Sequence, residues 1–194
     1  MTMTQLVNIS TIKKIGVVGA GQMGNGIVQV AASCGYTVVM FDISNAALDK
    51  GLTTIAGSCD RLIKKNTLTE DAKKALLSRI QSTIKLDDLK DCDFVVEAAT
   101  ENIQLKLKIF KDLDETIKPE SILATNTSSI SVTQIAAVTK RPTQVVGMHF
   151  MNPVPLMQLV EGIKGLQTSD ETFSTTKSNY RWSLTFINRL YNQA

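Results

Sequence analysis

The sequence predicts an α/β fold in which helices flank a doubly wound, mostly parallel sheet. Three observations predict it. Short β-branched runs alternate along the chain with stretches of helical period. A glycine-rich turn at residues 19–24 follows the first such run and opens the first helical stretch. The composition, 43% hydrophobic and 20% charged over 194 residues, suits a chain that buries one sizeable core without disulfide or metal support.

Residues 14–19 (KIGVVG) read as the first strand, 22–34 as a helix and 37–41 (TVVMF) as the second strand. From 45 to 65, Leu48, Leu52, Ile55, Cys59 and Leu62 share one helical stripe. Thr67 and Glu70 have capping-box spacing, so another helix is expected from about 69 to 78. Residues 80–84 and 94–97 (FVVE) read as strands. Ile103, Leu107, Phe110, Leu113 and Ile117 then recur at helical spacing until Pro119 stops the helix. A strand at 122–125, a short helix at 132–138 and a strand at 145–148 follow. Asn152-Pro153-Val154-Pro155 must be extended or turning, because each proline disfavours helix in the residue before it. Residues 156–163 are apolar and read as a last strand, and no clear period is visible after Phe173.

Composition excludes several functions. A net charge of +3 is too mild to argue for nucleic acid or an anionic membrane. The single histidine, His149, rules out a zinc site built on two imidazoles, and no metal is expected. Cys34, Cys59 and Cys92 are widely spaced and odd in number, which fits reduced thiols in a cytoplasmic protein. The opening MTMTQLVNISTIKK is not a secretory signal, and the most apolar window, 15–32, is broken by polar residues and too short to span a bilayer.

Gly19-Ala20-Gly21-Gln22-Met23-Gly24 is G-x-G-x-x-G, a weak pattern alone that gains meaning between a strand and a helix. The first glycine allows the tight turn, the second lets a pyrophosphate approach the backbone, and the third permits close packing of the helix. Asp42 ends the second strand, 18 residues after Gly24, where a carboxylate can accept both adenosine ribose hydroxyls and repel the 2′-phosphate of NADP. Turn and acid together predict a Rossmann-type domain that binds NAD, expected over 1–173, with 174–194 a short divergent tail and not a domain.

The second half adds V-V-E-A-A-T-E-N (95–102), T-N-T-S-S-I-S (125–131) and G-M-H-F-M-N-P-V-P-L-M (147–157). With the glycine turn and Asp42, these motifs resemble the NAD-binding domain of the 3-hydroxyacyl-CoA dehydrogenases, nearest the bacterial 3-hydroxybutyryl-CoA branch, from about Ile12 to about Phe173. The resemblance implies interconversion of (3S)-3-hydroxyacyl-CoA and 3-oxoacyl-CoA, with a short acyl chain, in fatty acid or butanoate metabolism. It makes His149 the proton-transfer group, Glu161 (twelve positions on) its orienting carboxylate, and Ser128 the serine between substrate hydroxyl and cofactor. Imidazole suits this task because it titrates near neutrality.

By the same resemblance Glu101, Lys106 and Asn152 contact NAD, and Ser58 and Lys65 hold coenzyme A. On residue type alone Ser128 equally suits a cap, Asn152 a turn before Pro153, and the others, with Arg61, a solvated helix face. Family members continue into a C-terminal helical domain that closes over the acyl-CoA and builds the dimer. Here the resemblance stops near Phe173, so that domain is expected to be absent, the family dimer is not expected, and impaired activity is. Phe186-Ile187-Asn188-Arg189 imitates the end of the family's P-G-F-x-x-N-R segment without its Pro-Gly, so no catalytic role passes to Asn188. The alternative expectation is a non-catalytic NAD-binding module of the same fold.

Overall fold

A computed structural model describes residues 12–178 and the backbone of 185–189. The elements run β1 (Lys14–Val18), α1 (Gln22–Ser33), β2 (Thr37–Phe41), α2 (Asn45–Lys64), α3 (Glu70–Leu77) and β3 (Ile80–Thr83). A 3-10 turn (Leu86–Leu89) leads to β4 (Phe94–Glu97), α4 (Ile103–Thr116), β5 (Ile122–Thr125) and α5 (Val132–Ala136). Then come β6 (Val145–Phe150), β7 (Leu159–Ile163), α6 (Asp170–Ser178) and β8 (Thr185–Arg189). They form an eight-stranded sheet in the order β3-β2-β1-β4-β5-β6-β7-β8, parallel except for the β6–β7 pair. This is the doubly wound sheet the alternation predicts.

Strand alternation divides the core into two layers. Ile15, Val17, Val38, Met40, Phe94 and Val96 pack towards α1 and α2 on one face. Val18, Val39, Val95 and Leu123 pack towards Phe110, Leu113 and Ile135 on the other. Helices on both faces explain why these strands read as continuous apolar runs.

Helix starts are set by side-chain caps. Ser44, Thr69, Asn102 and Ser131 each accept a backbone N–H from the first turn of α2, α3, α4 and α5. The expected capping box at Thr67 is therefore wrong. The cap is Thr69, while the Thr67 hydroxyl donates to the Leu62 carbonyl (3.0 Å) and closes the end of α2.

Three further boundaries differ from expectation. β6 runs two residues past 148, which places His149 within a strand rather than after it. β7 begins at Leu159, not 156, because the N–H groups of Leu156 and Met157 both turn back to the Pro153 carbonyl. The chain also stays regular past 173. Ser169 accepts the Thr172 N–H, and α6 buries Thr172, Phe173, Thr175 and Thr176, so its inward face is mostly threonine and shows no apolar period. Residues 1–11, expected to carry no secretory signal, and the side chains from 179 onward, Asn188 included, lie outside the described residues.

Among the described residues no helix is long and apolar enough to cross a membrane. All three cysteines are free. Burial pushes the Cys92 thiol up to about 12, so it is inert packing rather than a nucleophile.

Candidate active site

β1 lies between β2 and β4, and the chain leaves β1 and β4 in opposite directions along the sheet. Their carboxyl ends therefore border the crevice where ligands of such sheets sit. Gly19 opens it with a φ of +101°, and its N–H donates to the Phe41 carbonyl (2.8 Å). A Cβ there would lie 2.8 Å from the Ala98 carbonyl oxygen. A Cβ on Gly24 would lie 1.8 Å from the Gly19 carbonyl oxygen, so the third glycine seats α1 on the turn itself. Gly21 differs: a Cβ there would meet nothing within 4 Å. Its open side, at the N-terminus of α1, is the space a pyrophosphate requires.

Asp42 is oriented by the backbone, with Oδ2 accepting from Ala20 N–H (2.9 Å) and Oδ1 from Ser44 N–H (3.1 Å). Each oxygen keeps a second lone-pair direction for a ribose hydroxyl. Beside it a cavity of about 300 Å³ is walled by Gly19, Ile43, Ala99, Thr100, Leu105 and Ile109. A largely apolar slot with the Asp42 carboxylate at its rim, and Lys108 and Asp112 also lining it, has the form an adenosine needs, so these residues fit NAD.

The next layer is built on the ends of β4 and β5. Glu97 is fully buried, and its Oε1 accepts from the N–H groups of Ala99 (2.9 Å) and Thr100 (3.4 Å). Its Oε2 pairs with Lys106 and accepts from the Thr125 hydroxyl (3.1 Å). Lys106 is only 1% exposed, so it does not lie on the solvated face that residue type alone allowed. Its ammonium is engaged by Glu97 and Thr125 beneath the crevice. Glu101 stands above: it accepts from the Thr127 hydroxyl (2.6 Å) and from Ser128 N–H (3.3 Å). Thr127 accepts in turn from Ser129 and Ile130 N–H, and this clamp shapes the loop that presents Ser128.

His149 and Glu161 face each other across the antiparallel β6–β7 ladder as direct register partners. His149 Nδ1 lies 2.9 Å from Glu161 Oε2, with side chains 23% and 16% exposed. With Nδ1 engaged, Nε2 is the nitrogen left to exchange a proton. Ser128, His149 and Glu161 line one cavity of about 150 Å³. The structure thus gathers an imidazole, the carboxylate it contacts and a hydroxyl around one cavity.

A separate groove of about 330 Å³ runs between α1, α2 and the loop after β6. Ser58 and Arg61 line it from α2, Lys65 from the cap that ends α2, and Asn152, Pro153 and Leu156 from the loop. Gln22 Nε2 donates to Asn152 Oδ1 (3.2 Å), joining the glycine turn to this loop. Met23, within the turn, is half-buried and packs against the core on the α1 face.

Sequence reasoning missed Glu97, Thr127, Asn126 and Gly26. Glu97 and Asn126 stand within the quoted motifs as polar residues at the ends of apolar strands, and nothing local assigns them a contact. Gly26 reads as an ordinary helix residue, yet a Cβ there would lie 2.8 Å from Val154 Cβ. Among the described residues no group of three His, Cys, Asp or Glu side chains is placed to hold a metal.

Residues 14–182 match the family profile described as 3-hydroxyacyl-CoA dehydrogenase, NAD binding domain. A 3-hydroxybutyryl-CoA dehydrogenase of Bradyrhizobium diazoefficiens is 54% identical over 168 residues, which are 87% of this chain and 57% of that protein. A probable 3-hydroxybutyryl-CoA dehydrogenase of Deinococcus radiodurans is 56% identical over 159 residues, 82% of this chain and 57% of that protein. The crystal structure of (S)-3-hydroxybutyryl-CoA dehydrogenase from Ralstonia eutropha superposes with a TM-score of 0.91 at 51% identity. It covers 93% of this chain and 64% of that one. The chain thus spans a little over half the length of the curated relatives it matches.

Proposed function

This chain belongs to the 3-hydroxyacyl-CoA dehydrogenase family through its NAD-binding domain, and we propose that it interconverts short-chain (3S)-3-hydroxyacyl-CoA and 3-oxoacyl-CoA. The observation that carries the reading is the His149–Glu161 pair, held by β-register and sharing a cavity with Ser128.

In oxidation His149 Nε2 takes the proton of the 3-hydroxyl, and in reduction it returns one. Glu161 holds Nδ1–H, which fixes the tautomer and balances the charge of the protonated ring. The Ser128 hydroxyl orients the reacting oxygen. Gly19, Gly21, Gln22, Met23 and Gly24 form the pyrophosphate turn, and Asp42 takes the ribose hydroxyls and disfavours a 2′-phosphate. Bound NAD supplies the hydride acceptor.

Glu101 and Asn152 are assigned to the cofactor's nicotinamide side, and Lys106 to the support beneath it. Ser58 and Lys65 are assigned to coenzyme A, where an ammonium can meet phosphate as a point charge. The domain at 1–173 with its short tail, the cytoplasmic location and a small-molecule acyl-CoA partner belong to the same proposal.

The test is steady-state oxidation of NADH with acetoacetyl-CoA, with free coenzyme A as competitor. Saturable turnover inhibited by coenzyme A supports the reading. Saturable NADH binding without turnover favours the non-catalytic module instead.

A further inference from the structure

We propose that Asn126 is a positioning residue for His149, its side-chain amide holding the strand segment that carries the imidazole. The claim rests on the reading of His149 as the proton-transfer group.

β5 pairs with β6 only as far as Thr125↔Gly147. Beyond that the chain leaves the ladder, because Thr127 and Glu101 draw residues 127–130 into the loop that presents Ser128. β6 nevertheless continues to Phe150, so its last residues lose a backbone partner on the β5 side. Asn126 replaces it. Its own N–H stays in line, donating to the Glu97 carbonyl (2.9 Å), and its Oδ1 accepts from Phe150 N–H (2.9 Å) in a buried contact. Asn126 is itself 9% exposed.

The peptide linking His149 to Phe150 is therefore held on the β5 side by Asn126 and on the other side by the β7 ladder that delivers Glu161. An apolar residue at 126 removes the acceptor of this buried N–H next to His149, and the strand end shifts in response. Glu161 sits on β7 and is not part of the Asn126–Phe150 contact. The shift therefore acts on the imidazole–carboxylate geometry, while the glycine turn and Asp42, which follow β1 and β2, stay in place.

The experiment compares the full 194-residue chain with Asn126→Ala and Asn126→Asp; the aspartate keeps an acceptor for Phe150 N–H. We expect Asn126→Ala to lower kcat on the order of 10- to 100-fold, as sub-ångström displacement of a reacting group does. KM for NADH stays within about twofold, and Asn126→Asp recovers most of kcat. Amide exchange at Phe150 rises at least about tenfold in Asn126→Ala, while exchange at Val146 is unchanged. Because His149 is the only histidine, its downfield imidazole N–H resonance is unambiguous; it persists in wild type and Asn126→Asp and broadens in Asn126→Ala.

Unchanged kcat, a parallel loss of NADH affinity, or no recovery by aspartate overturns the proposal. Should the alanine variant not fold, fast exchange at Phe150 in the wild-type chain overturns it and slow exchange supports it. Absence of wild-type turnover defeats the oxidoreductase reading alone, and the exchange and imidazole measurements still decide on Asn126.

Discussion

The two halves of the site are held in place by different means. The glycine turn between β1 and α1 is fixed by backbone proximity: Gly19 has a left-handed φ, and Gly24 sits where a Cβ would strike a carbonyl. The His149 side is fixed by side-chain contacts between residues far apart in sequence. Glu101 meets Thr127 across 26 positions, Asn126 meets Phe150 across 24, and His149 meets Glu161 across 12. Backbone proximity tolerates no added atoms, whereas a side-chain network tolerates substitution at the cost of geometry. Changes on the first half should strike folding and cofactor affinity, and changes on the second should strike turnover.

The largest effect expected to sharpen this contrast is Gly24→Ala. Forcing a Cβ to within 1.8 Å of the Gly19 oxygen must open the turn or move α1. A loss of about 3 kcal/mol in unfolding free energy is expected in urea titration, with NADH binding abolished. A variant of wild-type stability that binds NADH normally would break the contrast at its first half.

Glu161→Gln is next. It keeps the size of the side chain and removes the charge facing His149 Nδ1, so kcat should fall on the order of 100-fold. Affinity for NADH, read by its fluorescence, should hold within about twofold. A variant that loses affinity and keeps kcat would reverse the assignment.

Asp42→Ala acts on the first half alone. The ribose hydrogen bonds proposed for Asp42 go with its carboxylate, so Kd for NADH should rise about 10- to 100-fold while kcat at saturating NADH is kept. The smallest effect lies at the far end of the sheet. Burial pushes the Asp93 carboxyl up, but the Lys118 ammonium and the N–H groups of Lys13 and Lys14 outweigh it and hold the group below its usual range. Such a group contributes stability above its unfolded pKa and loses it as pH falls through the lower folded value. Asp93→Asn should cost about 1 kcal/mol near neutrality, because Lys118 is partly solvated, and should flatten the decline in acid. A parallel decline in both proteins would refute that linkage.

The same contrast explains what could be read from residues alone. The glycine turn, Asp42 and strands β1 to β5 are local patterns and stand where the sequence puts them. The position of His149 within a strand was misjudged because β6 ends on His-Phe, where a polar residue interrupts the apolar run. α6 was missed because threonines, not aliphatics, fill its buried face. The burial of Lys106 was not legible either, since its partner Glu97 lies on another element and only the fold joins them.

The central claim is that His149 moves the proton and leaves cofactor binding to the other half of the site. Wild type and His149→Gln, assayed in parallel for NADH oxidation with acetoacetyl-CoA and for NADH binding, test it most directly. Saturable wild-type turnover, a loss of about 1,000-fold in the variant and equal NADH affinity in both are expected. Turnover in the variant equal to that of wild type, or none in either protein, would contradict it.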